Sequence, residues 1–320
     1  MNAGRRRLIA RSAALLMLGL LVWQATQRLE LARIALAIGG VRHAWLLLAG
    51  SLYMLILPLW ATQWRLLAPR TPGNTFPNML GVVALTSSTL NTTPLLVGEA
   101  AGAALLVTQI GLEPASAVSV SVMDQLLVGM AKVAVIGAAA LTSPLPAWMT
   151  RSVLTLCGGV LILLSACLYL AWHPSPERSR LAALLPRRAA NALGTFASCL
   201  DPLRDPARSV PALLLALLKK LVEISAILCV ARAFDVPLPL SGGLLVLATL
   251  NLATLLPVVP GNLGVYETAV VMAYVALGFP ADVAAGIAVV QHVCYFAALA
   301  LPGLLWAVGP GAFRSAAAVR

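Results

Sequence analysis

Charge is scarce in this sequence. Only 10% of its 320 residues are charged and 60% are apolar, which gives a mean hydropathy of +0.92. A water-soluble domain of this length needs far more charge to cover its surface. The composition therefore excludes the soluble globular class and predicts an integral membrane protein, in which a run of roughly 20 apolar residues makes one span.

Motifs of catalysis, metal binding and nucleic-acid recognition are also missing. The sequence contains no H-E-x-x-H, no G-x-S-x-G and no glycine-rich phosphate loop. Its five cysteines form no C-x-x-C pair, so we expect no metal, redox or other cofactor. The formal net charge of +11 comes from basic residues without aromatic interleaving, which favours positive cytoplasmic loops over nucleic-acid binding.

What the sequence does contain is about eight apolar runs, which predict an all-α, polytopic membrane helix bundle forming a single domain over 1–320. The first run follows Arg5–Arg7 and has no small-residue cleavage site, so we interpret it as a retained span. The runs lie at about 8–27, 43–66, 79–111, 115–141, 151–171, 211–233, 238–278 and 281–308.

Two of these runs, 79–111 and 238–278, are too long for one span and are broken near their middle by proline and glycine. Each run either crosses once as a broken helix, turns back as a re-entrant hairpin, or crosses twice. The loop 172–210 is rich in arginine, and the positive-inside rule puts it on the cytoplasmic side only if 79–111 returns to its own side. We therefore predict six full spans plus two hairpins that enter from opposite faces, with both termini cytoplasmic.

The two broken runs match each other at an offset of 166 residues, which predicts an inverted repeat, with repeat 1 at about 79–141 and repeat 2 at about 238–308. Such repeats are typical of secondary transporters. The matched pairs are Ser88 and Thr254, Pro94 and Pro260, Gly98 and Gly264, Pro114 and Pro280, and Gln125 and Gln291.

Half-helices are predicted to start after Gly98 and Gly264, near the bilayer centre. Backbone freed at that depth requires cover from protein or a water-filled cavity. The positive ends of the two half-helices would together form a polar site that favours anions. Glu99 and Glu267 follow these glycines and either cap the half-helices or bind a headgroup or proton.

Three polar residues in the neighbouring spans complete the candidate site. Asp124 lies about 15 Å into its span, at 1.5 Å per residue. It either bonds to a serine or threonine of the first hairpin or takes part in lipid or proton coupling. Gln125 and Gln291 either join helices by hydrogen bonds or line the site.

A charged cluster in the run 211–233 is predicted to be peripheral. Lys219 and Glu223 are four residues apart and so could pair on one helix face. Lys219 and Lys220 are expected to extend toward the cytoplasmic surface, and Lys132 toward the opposite one. His292 is expected to be packed and not to bind a ligand.

Two segments resemble the lysylphosphatidylglycerol synthase transmembrane region family. They are "NTTPLLVGEAAGAALLVTQIGLEPASAVSVSVMDQ" and "LLPVVPGNLGVYETAVVMAYVALGFPADVAAGIAVVQHVCYF", and the resemblance extends over about 10–310. Its most specific part is P-G-x-L-G-x-x-E at Pro260–Glu267. The resemblance implies a flippase-like domain that translocates a lipid, such as a glycolipid, a hopanoid-type or an aminoacylated lipid, in a bacterial-type inner membrane.

The chain departs from the family where arginines often stand, with Ala100–Gly102 after the G-E pair, Gln125 after Asp124 and Tyr266 before Glu267. These departures favour a sugar, a cationic headgroup or a weakly charged lipid over a strongly anionic one. The alternatives are a membrane-embedded lipid-modifying enzyme, or a non-catalytic partner that docks a lipid-biosynthesis enzyme through 172–210. The oligomeric state is left open.

The residues predicted to bind or translocate the substrate are Pro94, Gly98, Glu99, Asp124, Gln125, Pro260, Gly261, Gly264, Glu267 and Gln291.

Overall fold

A computed structural model describes residues 40–93, 97–142, 149–172, 194, 197, 200–255 and 259–308. These residues are almost entirely helical and contain no strand, which confirms the polytopic helix bundle. The helices are α1 (His43–Leu67), α2 (Phe76–Thr92), α3 (Val97–Leu105), α4 (Pro114–Thr142), α5 (Met149–Trp172), α6 (Asp201–Arg204), α7 (Pro206–Ala233), α8 (Leu240–Ala253), α9 (Val265–Ala276) and α10 (Ala281–Val308).

Four segments of the described chain are long and apolar enough to cross a membrane: His43–Leu67, Pro114–Thr142, Arg151–Trp172 and Ala281–Ala307. Helix α7 has 28 residues, a similar length, and lies along α1. It contains more charged residues than any of these four segments. These helices correspond to five of the six predicted full spans. The sixth, 8–27, lies outside the described residues, as does most of 172–210.

Helix α7 begins earlier than predicted. Its first residue is Pro206, preceded by Asp205, whose side chain accepts a hydrogen bond from the Ala207 backbone N–H at 3.0 Å. A proline at the first helical position and an aspartate cap are favourable start signals. The start at 206 shortens the predicted loop 172–210 and extends the predicted span 211–233 by five residues.

Helices α2 and α3 form a hairpin, so the first broken run does not cross as a broken helix. Gly98 packs directly against Leu90, and the side chain of Thr71 donates a hydrogen bond to the Ile110 carbonyl at 3.1 Å. Helix α3 continues as a π-helix over Leu106–Ile110 and ends at Gly111, whose φ of +76° is the left-handed conformation common at helix ends. The two arms therefore start and finish at the same face.

Helices α8 and α9 form the second hairpin. The side chains of Leu238, before α8, and of Leu277, after α9, both lie beside Gly242. A 3₁₀ turn at Pro260–Asn262 lies between the two arms, followed by Gly264 at a φ of +86°. This run also returns to the face from which it came.

The two hairpins open toward opposite ends of α1. At its start, the backbone N–H of Arg42 donates to the Ala233 carbonyl at 3.0 Å, next to the second hairpin. Just past its other end, Thr71 contacts the first hairpin. Because a helix of 25 residues is about 37 Å long, the open ends of the two hairpins lie at opposite ends of the bundle. The predicted inverted repeat requires such an arrangement and stays a prediction.

Candidate functional site

The tips of the two hairpins meet inside the bundle. A side-chain carbon added at Gly261 would lie 3.0 Å from the Asn91 carbonyl oxygen and 3.0 Å from the Phe296 ring. Gly261 also has a φ of +63°. Only glycine combines this backbone conformation with so close an approach. The glycine therefore lets the 3₁₀ turn of the second hairpin lie against the end of α2.

Beside the tips lies a cavity of about 290 Å³, enclosed by α1, α4, α7 and α10 as well as the hairpins. Tyr53, Tyr266 and Tyr295 form an aromatic wall, with Tyr295 5.4 Å from Tyr53 and 5.6 Å from Tyr266 between ring centroids. The cavity also has six charged lining residues, three of each sign: Glu99, Asp124, Lys132, Lys219, Lys220 and Glu223.

Asp124 joins α4 to α1 and α7. Its Oδ2 accepts a hydrogen bond from the Trp60 indole at 3.0 Å, and its Oδ1 lies 3.7 Å from Lys219 Nζ. The ammonium of Lys219 also lies 5.5 Å from the centre of the Trp60 ring. Asp124 and Lys219 are 4% and 6% exposed, so each is the other's main charge partner at this depth.

A second ion pair lies on α7 itself. Lys220 Nζ contacts both carboxylate oxygens of Glu223, at 3.0 and 2.8 Å, and lies 3.4 Å from Oδ1 of Asn251 on α8. Lys220 is 8% exposed. The predicted pairing of Lys219 with Glu223 is therefore wrong, since Glu223 holds the neighbouring lysine and Lys219 contacts α4.

The other expectations for these lysines are also wrong. Lys219 and Lys220 are buried, and Lys132 is half-buried and lines the same cavity. Lys219 lies 13 residues into α7, about 20 Å along the axis. That distance is too great for a side chain to reach the membrane surface.

Glu267 lies outside the cavity lining and stabilises the second hairpin. Its Oε2 accepts a hydrogen bond from the Gly264 backbone N–H at 2.7 Å, and its Oε1 lies 2.8 Å from His292 Nδ1. Glu267 is thus the cap of α9, one of its two predicted roles. His292 is packed, as expected, and stacks on Tyr266 at 4.2 Å.

Gln291 joins two helices, as one interpretation of it predicted. Its amide donates to the Tyr266 hydroxyl at 2.9 Å, from α10 to α9. Tyr266 lines the cavity, so Gln291 and the Glu267–His292 pair lie directly behind the cavity wall. They support the shape of the site without lining it.

Of the remaining predicted residues, some line the cavity and others stabilise the hairpins. Glu99, Gln125 and Gly261 line the cavity together with Asp124. Gly98 serves the contact between α2 and α3, and Pro260 and Gly264 lie in the turn before α9. Pro94 lies outside the described residues. Asp124 contacts Trp60 and Lys219. It does not bond to a serine or threonine of the first hairpin in the described part of the chain, as one interpretation had predicted.

Serines and threonines of the first hairpin donate hydrogen bonds to backbone carbonyls. Thr86, Thr89, Thr92 and Thr93 each donate to the carbonyl four residues earlier, at 2.7 to 2.9 Å. Ser88 also donates to the Ala300 carbonyl of α10. These bonds give the hydroxyls an acceptor inside the apolar bundle, and the carbonyls that accept them belong to helices.

Sequence reasoning missed Trp60, Lys132, Lys219, Lys220, Glu223 and Asn251 as lining residues. A signal for three of them was present, because Lys219, Lys220 and Glu223 interrupt an otherwise apolar run. Ionisable groups inside a span face a bundle interior or a cavity. Nothing local identifies Trp60 or Asn251, whose roles depend on which helices become neighbours.

Comparison with known proteins agrees with these features. The model of the family described as "Lysylphosphatidylglycerol synthase TM region" matches residues 9–303. No match to the chain is found among curated proteins or among solved structures. The matched range contains both hairpins and all the described spans except the last residues of α10. The protein is a multi-pass membrane protein with a lipid-related role. The chain belongs to the lysylphosphatidylglycerol synthase transmembrane region family.

Proposed function

We propose that this protein translocates a lipid by receiving its polar headgroup in the cavity between the two hairpins, while the acyl chains stay in the bilayer. The observation that carries the proposal is the position of six charged side chains around one cavity beside the meeting hairpin tips. Charged groups at this depth are costly and are typical of substrate pathways. A polar cavity lowers the cost of moving a headgroup through the apolar layer.

The opposed hairpins support an alternating mechanism. They open toward opposite ends of α1 and touch through Gly261 and Asn91. We propose that they belong to an inverted repeat with an offset of 166 residues and that one repeat moves against the other during transport. Separation of the tips on one side at a time would expose the cavity to each face in turn.

The described residues favour movement of a lipid over its chemical modification. Two of the three acids lining the cavity, Asp124 and Glu223, have an ammonium partner. Because these two carboxylates are held by lysines, we interpret the charged groups of the cavity as a binding site for a headgroup. We propose that the protein is a carrier and no enzyme, that it resides in a bacterial-type inner membrane with both termini cytoplasmic, and that loop 172–210 is available to a lipid-biosynthesis enzyme.

The test is lipid translocation by the purified protein in liposomes. Fluorescent lipids of different headgroups are incorporated, and a membrane-impermeant reductant reports the fraction that reaches the outer leaflet. We expect the wild-type protein to accelerate exchange of at least one lipid. The double variant Asp124→Asn, Lys219→Met removes both partners together, so neither charge is left unpaired. It should reduce the rate at least about tenfold, which corresponds to about 1.4 kcal/mol, because the headgroup loses two of the charged groups that line its cavity.

The matched control is the exposed ion pair between Arg42 and Asp235, which is 2.7 Å long and lies at a helix end, far from the cavity. Arg42→Gln, Asp235→Asn should leave translocation unchanged. Equal rates in the cavity variant and the wild type would disprove the role of the cavity. A covalently altered lipid in the liposomes would instead indicate an enzyme.

A further inference from the structure

Two of the charged side chains that line the cavity have no partner in the described part of the chain. Lys219 pairs with Asp124, and Lys220 pairs with Glu223. Lys132 on α4 and Glu99 in the first turn of α3 have neither an ion pair nor a hydrogen bond among the described residues. Among the described residues, the cavity therefore offers one cation and one anion without a partner.

Two carboxylate oxygens in the cavity also lack a hydrogen-bond donor. They are Oε2 of Glu99 and Oδ1 of Asp124, both buried. The distance from Asp124 Oδ1 to Lys219 Nζ is 3.7 Å, too long for a hydrogen bond. A buried carboxylate oxygen without a donor costs free energy, because it has lost its hydrogen bonds to water and no protein group replaces them. Glu99 as a whole is only half-buried and lines the cavity, so its carboxylate is the one that an occupant can reach.

We propose that the cavity selects zwitterionic phospholipids, whose headgroup carries one phosphate and one ammonium, as in phosphatidylethanolamine. The inference rests on the proposed lipid-binding function and names the substrate class for that site. The phosphate neutralises Lys132, and the ammonium donates to the carboxylate of Glu99. Charge-assisted hydrogen bonds of this kind are the strong ones.

Other headgroup classes leave one of these groups unsatisfied. An anionic phosphatidylglycerol pairs with Lys132 but brings no positive charge to Glu99. A neutral sugar headgroup supplies hydroxyl donors to the carboxylates but leaves Lys132 without an anion. The cavity of about 290 Å³ is many times the roughly 10–15 Å³ that one water needs in the same measure, so it has room for the about eight heavy atoms of phosphoethanolamine.

The experiment is a binding competition followed by native mass spectrometry. The full-length protein in detergent micelles is given an equimolar mixture of dioleoyl phosphatidylethanolamine, dioleoyl phosphatidylglycerol and a dioleoyl monoglucosyl lipid. We expect the phosphatidylethanolamine adduct to exceed each of the others at least about tenfold, the ratio that 1.4 kcal/mol provides. The control variant Arg42→Gln, Asp235→Asn should keep this ratio.

Two single variants test the assignment of each charge. Glu99→Gln should move the preference toward phosphatidylglycerol. Lys132→Gln should abolish the preference over the monoglucosyl lipid. The charge-preserving variants Glu99→Asp and Lys132→Arg should retain selection of phosphatidylethanolamine. If a glutamine variant fails to fold, these two variants test the same charges.

Equal binding of the three lipids by the wild-type protein, or preference for either of the other two, would overturn the inference. So would unchanged ratios in both Glu99→Gln and Lys132→Gln. Translocation measured on the same preparations separates this result from the proposed function. Selective binding without translocation removes the carrier role alone, whereas translocation without this selectivity removes the substrate class alone.

Discussion

The two hairpins begin their second arms in similar ways, but their glutamates have different surroundings. In the first hairpin, Glu99 lines the cavity and its Oε2 has no partner in the described part of the chain. In the second, Glu267 holds the Gly264 N–H and His292 and lies outside the cavity lining. Among the described residues, the glutamate in the first turn of α3 is thus free for a ligand. Glu267, three residues after the glycine that precedes α9, instead accepts a hydrogen bond from that glycine's backbone N–H.

The hairpins also differ in how they are attached to the bundle. The first is tied to α10 by Ser88 and by the close contact of Gly303 with the α2 backbone. The second is tied to α10 through side chains, namely Glu267 to His292 and Tyr266 to Gln291. The comparison indicates that charge stabilises the second hairpin and that backbone packing stabilises the first.

The largest expected effect is the substitution of two glycines near the start of the second arms, Gly98 inside α3 and Gly264 just before α9. In Gly98→Ala the new carbon would lie 2.7 Å from the Leu90 Cα, a backbone atom that cannot move cheaply, so we expect a loss of about 2–3 kcal/mol. Gly264→Ala has open space around it and only the strain of a φ of +86°, at about 1 kcal/mol. Thermal unfolding in detergent measures both, with Gly137→Ala in open helical surroundings as the control. A larger loss for Gly264→Ala would reverse the comparison.

Next in size is removal of the charge from the second hairpin. Glu267→Gln weakens two charge-assisted contacts and should destabilise the protein by about 2 kcal/mol, while the cavity keeps its charges. The double variant with His292→Gln should lose less than the sum of the two single variants, because the residues interact directly. Strict additivity in the unfolding measurements would show that the pair contributes nothing.

A smaller effect is expected for the polar residues matched at the offset of 166. Ser88→Ala removes a bond between two helices, from α2 to the Ala300 carbonyl, and should cost about 1 kcal/mol. Thr254→Val removes only a bond to the Leu250 carbonyl of the preceding turn and should cost about half as much. Ser88→Ala should therefore lower the unfolding temperature more than Thr254→Val does. Equal shifts would contradict the statement that backbone packing against α10 stabilises the first hairpin.

The smallest effect on stability is expected for Glu99→Gln, at most about 0.5 kcal/mol, since no described residue bonds to this carboxylate. Its consequence should instead be seen in lipid binding. An unfolding temperature lowered as far as that of Glu267→Gln would show that Glu99, too, is structural.

Much of this architecture follows from the sequence because hydropathy and helix breakers act locally. The run 43–66 becomes His43–Leu67, and the breaks at proline and glycine become hairpin turns. The depth of Lys219 was misjudged because an apolar run does not show where a helix begins. From residue 211 the lysine lies about 12 Å into the span, within reach of the surface, whereas from Pro206 it lies about 20 Å in.

The composition of the cavity was less accessible, because it depends on contacts between distant segments. Asp124 meets Lys219 and Trp60 only once α1, α4 and α7 are neighbours. Lys219 and Glu223 are four residues apart, and this spacing suggested that they pair. In the structure Glu223 pairs with Lys220, three residues before it, and Lys219 therefore contacts α4 instead. Departures from the family's arginines pointed to a site poor in cations, and the lysines of α4 and α7 compensate for them.

The position of the hairpin tips inside the bundle also bears on the transmembrane voltage. A headgroup that passes the contact of Gly261 with Asn91 would carry its charge through the electrical field of the membrane. Each elementary charge carried across that field gains or loses about 2.3 kcal/mol per 100 mV. A headgroup with equal positive and negative charge crosses without electrical work, so its distribution between the leaflets would be independent of the energised state of the cell.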